Sequence, residues 1–205
     1  MKVSRKAIIS IGIIVVLVAS GLLVFSQFFG QPTEIVVLET SMGTIEVQLD
    51  RQHAPITVNN FVTYVKAGFY NGTVFHRVMP NFVIQGGGFI SNGTEKTTRA
   101  PIKLESNNGL KNLAGTIAMA RTNVEDSATS EFYINLVDNS DLDYTSKNAG
   151  YAVFGKVVSG MSVINQIAKV PTATRKIFLP AVNQSYSFDN WPVQDVFVTH
   201  AYMKP

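Results

Sequence analysis

No cysteine occurs anywhere in the 205 residues. That absence excludes disulfide bonds, thiolate nucleophiles, CxxC redox chemistry, cysteine metal sites and a lipidated cysteine anchor. A domain of this size must then hold together by core burial. Histidine is nearly as scarce: His53, His76 and His200 lie far apart and lack metal-ligand spacing. No GxSxG elbow is present, so a serine-hydrolase reading has no nucleophile to stand on. Gly86-Gly87-Gly88 neither follows GxGxxG nor opens a helical pattern, which argues against a phosphate cradle. Close backbone approach or a strand bulge is the preferred reading of those glycines.

Charge is also sparse, at 15% of residues. The formal net charge of +3 comes from Lys2, Arg5 and Lys6, since the first thirty residues carry no acid and the remainder holds fourteen charges of each sign. The basic balance is therefore a property of the N-terminus and gives no support to nucleic-acid binding.

Beyond those three cations the chain is apolar. Ala7 to Phe25 runs for nineteen residues without a charge, close to the ~18–20 needed to cross a bilayer as a helix. A cleaved signal has a shorter apolar core, of roughly 7–15 residues, and a small-x-small site after it. Ser26 to Gly30 offers a poor site, so length favours an uncleaved membrane anchor, with a signal peptide as the alternative. Either way the basic residues stay inside and the rest of the chain is exported. The expected organisation is 1–30 anchor or signal, 31–33 linker, and 34–205 a single domain. With an anchor that domain faces the outside of the cytoplasmic membrane; with cleavage it is soluble in the periplasm or secreted.

From Glu34 the pattern turns to strands. EIVVLET and GTIEVQL alternate with period two around a Ser41-Met42-Gly43 turn. Pro55 opens a helix on which Val58, Phe61, Val62 and Val65 form one apolar stripe, stopped by Gly68. Further strands are expected over 73–78, 82–86, 116–120, 131–136, 151–157 and 196–202, with a second short helix at 161–168. Two long loops, 90–113 and 121–130, are rich in Asn, Thr, Ser and Gly, and loops of that length in a domain tend to be functional. Eight strands and two helices predict a mainly β domain, a closed or nearly closed antiparallel barrel capped by two helices.

One stretch combines core-like and polar residues: VFHRVMPNFVIQGGGF, from Val74 to Phe89. Alternation places Phe75, Arg77 and Met79 on one strand face and His76 with Val78 on the other. Gln85 is a second polar group in an apolar strand. Alone, each residue is more simply a solvated arginine or a glutamine at a sheet edge. Together, with phenylalanines around them, they suggest an apolar pocket holding a few convergent polar groups.

FHRVMPNFVIQGGGF resembles the signature of the cyclophilins, the peptidyl-prolyl cis-trans isomerases. GFYNGTVFHRV, GTIAMAR, DSATSEFYINL and GYAVFGKVVSGM resemble bacterial members in the same order and spacing. The resemblance implies that Arg77 is the main catalytic residue, Phe82 the floor of a proline pocket and Gln85 the holder of the substrate backbone. It places Val83, Tyr133 and Leu142 on the pocket wall, Ala120 and Arg121 on the strand beside the peptide, and His76 at the rim. Tyr133 and Leu142, taken alone, would read as ordinary core. Glu131 stands where many members have glutamine and could pair with Arg77 or shift substrate preference. Tyr151 stands where many eukaryotic members have histidine. Asp141 replaces a tryptophan of cyclosporin-sensitive members, which implies weak or no inhibition by cyclosporin. The partners implied are proline-containing polypeptides, handled by a monomer without metal or cofactor. A proline-peptide-binding holdase with little turnover is the alternative. To the segment Thr172–Trp191 the sequence assigns no role.

Overall fold

A computed structural model of the chain describes residues 33–179 and 183–205. The anchor-or-signal segment lies outside the described residues, among which no helix is long and apolar enough to cross a membrane. Among the described residues, ten strands and two α-helices follow in chain order. The strands are β1 (Ile35–Thr40), β2 (Gly43–Leu49), β3 (Arg77–Met79), β4 (Val83–Gly86), β5 (Thr116–Met119), β6 (Phe132–Asn135), β7 (Val153–Ser159), β8 (Thr172–Leu179), β9 (Gln184–Pro192) and β10 (Val198–Met203). Helix α1 (Pro55–Lys66) follows β2 and α2 (Met161–Ile167) follows β7.

Eight strands form one antiparallel sheet in the order β10-β1-β2-β7-β5-β6-β4-β3. The expected barrel is thus a curled sheet whose seam is not a strand pair. Instead, the Phe75 N–H donates to the Val196 carbonyl and the Val198 N–H to that of Thr73, both at 2.8 Å. Irregular backbone closes the seam because residues 73–76, expected in the third strand, are not part of it. The alternation predicted across His76 fails for the same reason. Phe75 and Val78 both enter the main core, whereas Arg77 and Met79 face out of it.

Inside the curl, Val36 and Leu38 of β1 pack with Ile45 and Val47 of β2, and with Ile117, Ile134, Ile84 and Phe154. Helix α1 closes one end. Its Phe61 ring lies 5.0 Å from Phe154 and 5.6 Å from Phe132. No side chain at its own N-cap satisfies the first-turn amides. The Glu105 carboxylate, carried by the long loop after β4, does so by accepting from the Ile56 N–H at 3.1 Å and the Thr57 N–H at 2.7 Å. The loop is thereby fixed to the helix, and with it the chain entering the pocket side of the sheet.

The segment Thr172–Trp191 is a second, two-stranded sheet, β8 paired with β9. Most β9 side chains are exposed, so the hairpin carries no alternating apolar signal in the sequence.

Candidate active site

Antiparallel register sets the site. Arg77 pairs with Gln85, Gln85 with Tyr133, Tyr133 with Ala118 and Ala118 with Val153. In a pleated sheet, directly opposed residues share a face, so this row crosses five strands on the outer surface of the curl. Val78, Ile84, Ile134 and Ile117, one position along, face the core.

Beside Arg77 the row is apolar. Val83, Ala118, Tyr133 and Val153 are buried in one cluster, with Phe82, Ala120, Leu142 and Tyr151 half-buried against it. The structure therefore brings together every wall residue predicted from the sequence. The Phe82 main chain is held at its carbonyl, which accepts from the Leu136 N–H at 2.9 Å and Asn139 Nδ2 at 3.0 Å. Arg121 stands over the Tyr151 ring at 4.7 Å and donates through Nε to the Gly150 carbonyl at 2.9 Å.

The polar groups form a chain. Arg77 donates through Nη1 to Gln85 Oε1 at 3.2 Å, and its guanidinium lies 5.6 Å from the Phe82 ring centre. Gln85 Nε2 donates to Glu131 Oε2 at 2.8 Å. The amide has one possible orientation, because arginine only donates and a carboxylate only accepts. Glu131 also lies 3.5 Å from His76 Nε2. It does not reach Arg77, which makes no ion pair with any described carboxylate, so the direct pairing considered from sequence is replaced by a relay through Gln85. Burial pushes the Glu131 carboxyl upward, but the His76 charge and the hydrogen bonds from His76 and Gln85 outweigh it, leaving the group below the usual carboxylate range.

His76 is not at the rim. It is 3% exposed, its ring edge-on to Phe89 at 4.9 Å and 5.7 Å from Trp191. The glycines after Gln85 are structural, as expected. Gly87 has φ +92°, and a Cβ there would lie 2.9 Å from the Ser130 carbonyl oxygen. At Gly88 a Cβ would strike the Glu131 carboxylate and displace it from Gln85.

Sequence reasoning missed Asn112. It is buried at 1%, its Oδ1 accepts from the Tyr133 hydroxyl at 2.8 Å, and its Nδ2 donates to the Leu142 carbonyl at 3.0 Å. Burial raises the Tyr133 pKa strongly, so the phenol stays a donor. One asparagine thus ties two wall residues together, but in a loop rich in Asn nothing distinguishes it by sequence.

The comparisons with known proteins give the family and the fold. Residues 35–202 match the family model described as cyclophilin type peptidyl-prolyl cis-trans isomerase/CLD. The chain is 54% identical over 160 residues to a peptidyl-prolyl cis-trans isomerase of Acinetobacter baylyi, covering 78% of this chain and 84% of that one. It is 56% identical over 149 residues to peptidyl-prolyl cis-trans isomerase A of Dickeya dadantii, covering 72% and 78%. Isomerase B of Escherichia coli is 48% identical over 141 residues, covering 67% and 86%. In fold, the chain is similar to a crystal structure of a Cryptosporidium parvum cyclophilin type isomerase, with TM-score 0.67 at 20% identity, covering 84% of this chain and 98% of that one. A second structure of that protein, in the presence of the dipeptide Ala-Pro, gives 0.66, covering 83% and 99%. The chain belongs to the cyclophilin-type peptidyl-prolyl cis-trans isomerases, and its activity is theirs.

Proposed function

We propose that this isomerase serves exported polypeptides at the outer side of the cytoplasmic membrane, with Arg77 assisting rotation of the X-Pro bond. The observation that carries the mechanism is an arginine free of any described carboxylate, steadied by Gln85 beside an apolar pocket floored by Phe82. Rotation breaks amide resonance against a barrier of ~18–20 kcal/mol. As the bond twists, the proline nitrogen becomes pyramidal and regains a lone pair. The guanidinium hydrogen-bonds to that nitrogen, or to the adjacent carbonyl oxygen, more strongly in the twisted state than in either planar one. Preferential binding of the twisted state lowers the barrier with no nucleophile and no proton transfer. The pocket of Phe82, Val83, Tyr133 and Leu142 holds the proline ring, Gln85 binds the backbone, and Ala120 and Arg121 flank the peptide.

A holdase without turnover would need Arg77 neutralised, and Glu131 is the acid placed to do it. The hydrogen bond it accepts from Gln85 and its proximity to His76 disfavour that reading. Glu131 instead fixes Gln85. Glu131→Ala is expected to lower kcat/KM several-fold, while Glu131→Gln, whose amide oxygen still accepts from Gln85, restores most of it. Its depressed carboxyl makes a further difference measurable by denaturation. The stabilisation from Glu131 is present above the ordinary carboxylate range and lost as pH falls through its lowered value. Glu131→Gln should lack that increment.

The export reading rests on Lys2, Arg5 and Lys6 followed by nineteen residues without charge. Uncatalysed X-Pro bonds relax in about tens to hundreds of seconds, so an isomerase near the translocation exit would shorten the folding of emerging chains. Sequencing the N-terminus of the mature protein from washed membranes tests it. An intact Met1 start in the membrane fraction supports the anchor. A mature start near residue 26–30 in the soluble fraction would replace the anchor with a signal peptide, and a cytosolic full-length protein would overturn export.

A further inference from the structure

The β8–β9 hairpin, to which the sequence assigns no role, walls the cleft that contains Arg77. This cleft, of about 530 Å³, has Arg77, Met79 and Gln85 on one side and Ser187 to Asn190 of β9 on the other. Those four residues lie at a β-bulge. Ala173 pairs with Trp191 and Arg175 with Phe188, so Asp189 and Asn190 together oppose Thr174, with Asn190 at φ +61°. Bulges re-aim side chains and recur beside active sites. The hairpin is held to the domain by Arg175, whose Nη2 donates to the Ser91 carbonyl at 2.6 Å and whose Nη1 donates to Asp195 Oδ1 at 3.3 Å.

The cleft has a consistent chemistry. The Phe89 and Phe188 rings, 5.1 Å apart, give it an apolar wall. Glu95, Glu131 and Asp189 also line it. Glu131 is already engaged by Gln85 and His76. Asp189 accepts a neutral hydroxyl, that of Thr174, at 2.7 Å. Glu95 makes no ion pair with a described lysine or arginine, and burial, with the Glu131 charge adding, raises its carboxyl against the opposing pull of His76. His76 Nδ1 is buried without a hydrogen-bond partner among the described residues. Arg77 is turned to Gln85 and Phe82. The cleft therefore offers acceptors and negative charge beside apolar surface, the complement of a long basic side chain.

We propose that the cleft between the hairpin and Arg77 is a specificity subsite for a lysine or arginine flanking the isomerised X-Pro bond. The stem of that side chain lies along Met79 and Phe188, and its cation reaches Glu95 and Asp189. The inference rests on the reading of Arg77 and Gln85 as the residues that meet the substrate.

The test uses X-Pro peptides carrying lysine, norleucine or glutamate at each of the two positions on either side of the X-Pro pair. At one position, kcat/KM for lysine should exceed that for glutamate by about tenfold at low salt, with norleucine between, and the gap should narrow at high salt. Asp189→Lys, which exchanges one exposed charge on the hairpin, should reverse the preference, and a reversal cannot arise from loss of fold. Equal values across the series, or a preference unmoved by both Asp189→Lys and Glu95→Gln, overturns the subsite. Arg77→Ala assayed on the same peptides separates the two readings. Full turnover there would overturn the placement of the substrate at Arg77, whereas lost turnover with no flanking preference in the unmutated protein overturns the subsite alone.

Discussion

Arg77→Ala is expected to lower kcat/KM on a short X-Pro peptide by about 10²–10³-fold, the loss typical of removing one preorganised transition-state donor. The side chain is half-buried and makes one side-chain hydrogen bond, to Gln85, so the variant should fold and its thermal transition should move little. The split between constants is the sharper readout. An interaction made only with the twisted amide lowers kcat and kcat/KM together and leaves KM nearly unchanged. Arg77→Lys should recover only part of the rate, because an ammonium lacks the planar fork that can serve the proline nitrogen while bonded to Gln85. A protease-coupled isomer assay, or exchange spectroscopy on a peptide with both isomers populated, measures each quantity. Undiminished kcat in Arg77→Ala would remove the arginine from the mechanism, and the pocket around Phe82 would then have to act by binding alone.

The parts of this site that were legible in sequence share one physical origin. Gln85 sits on a regular strand where side chains alternate with period two, so a polar residue within FVIQ is visible as an exception. Arg77 begins its strand, and its pairing with Gln85 follows once both strands are placed. Where regular pairing stops, legibility stops. Phe75 and His76 lie in irregular backbone at the sheet seam, so counting alternate residues put Phe75 on the Arg77 face, and the resemblance put His76 at the rim, when both are buried. The resemblance named Glu131 as a position, but its partner was settled only by the donor and acceptor order along Arg77, Gln85 and Glu131. The hairpin was illegible for another reason. Both faces of β9 are largely exposed, so Ser, Asn, Gln and Asp dominate it, and its apolar attachment centres on two buried residues, Ile177 and Trp191, with Arg175 adding a polar one. A structure held by a few separate anchors leaves no periodic pattern.

Those anchors make the largest stability effect expected outside the main core. Trp191 is 1% exposed and packs with Phe89, Phe188 and His76, while its indole N–H donates to Asp195 Oδ1 at 2.8 Å. Trp191→Ala should cost about 3–5 kcal/mol, the range for removing a buried indole. At roughly 2–4 °C per kcal/mol for a domain of 150–250 residues, Tm should fall by about 6–20 °C. Trp191→Phe keeps an aromatic ring but takes the indole donor from Asp195, and should cost about 1–3 kcal/mol. Thermal denaturation followed by circular dichroism gives both values, and hydrogen exchange locates the loss. Amides of β8 and β9 should exchange faster in Trp191→Ala while those of β1, β2 and β7 keep their protection relative to global stability. A Tm within about 2 °C of the unmutated protein would mean that Ile177 and Arg175 hold the hairpin unaided. The same variant reaches the catalytic cleft, because Trp191 covers His76 and His76 faces Glu131, the acceptor that orients Gln85. A loosened hairpin should therefore lower kcat/KM on X-Pro peptides at temperatures well below the melting transition, by way of a residue that touches neither Arg77 nor Phe82.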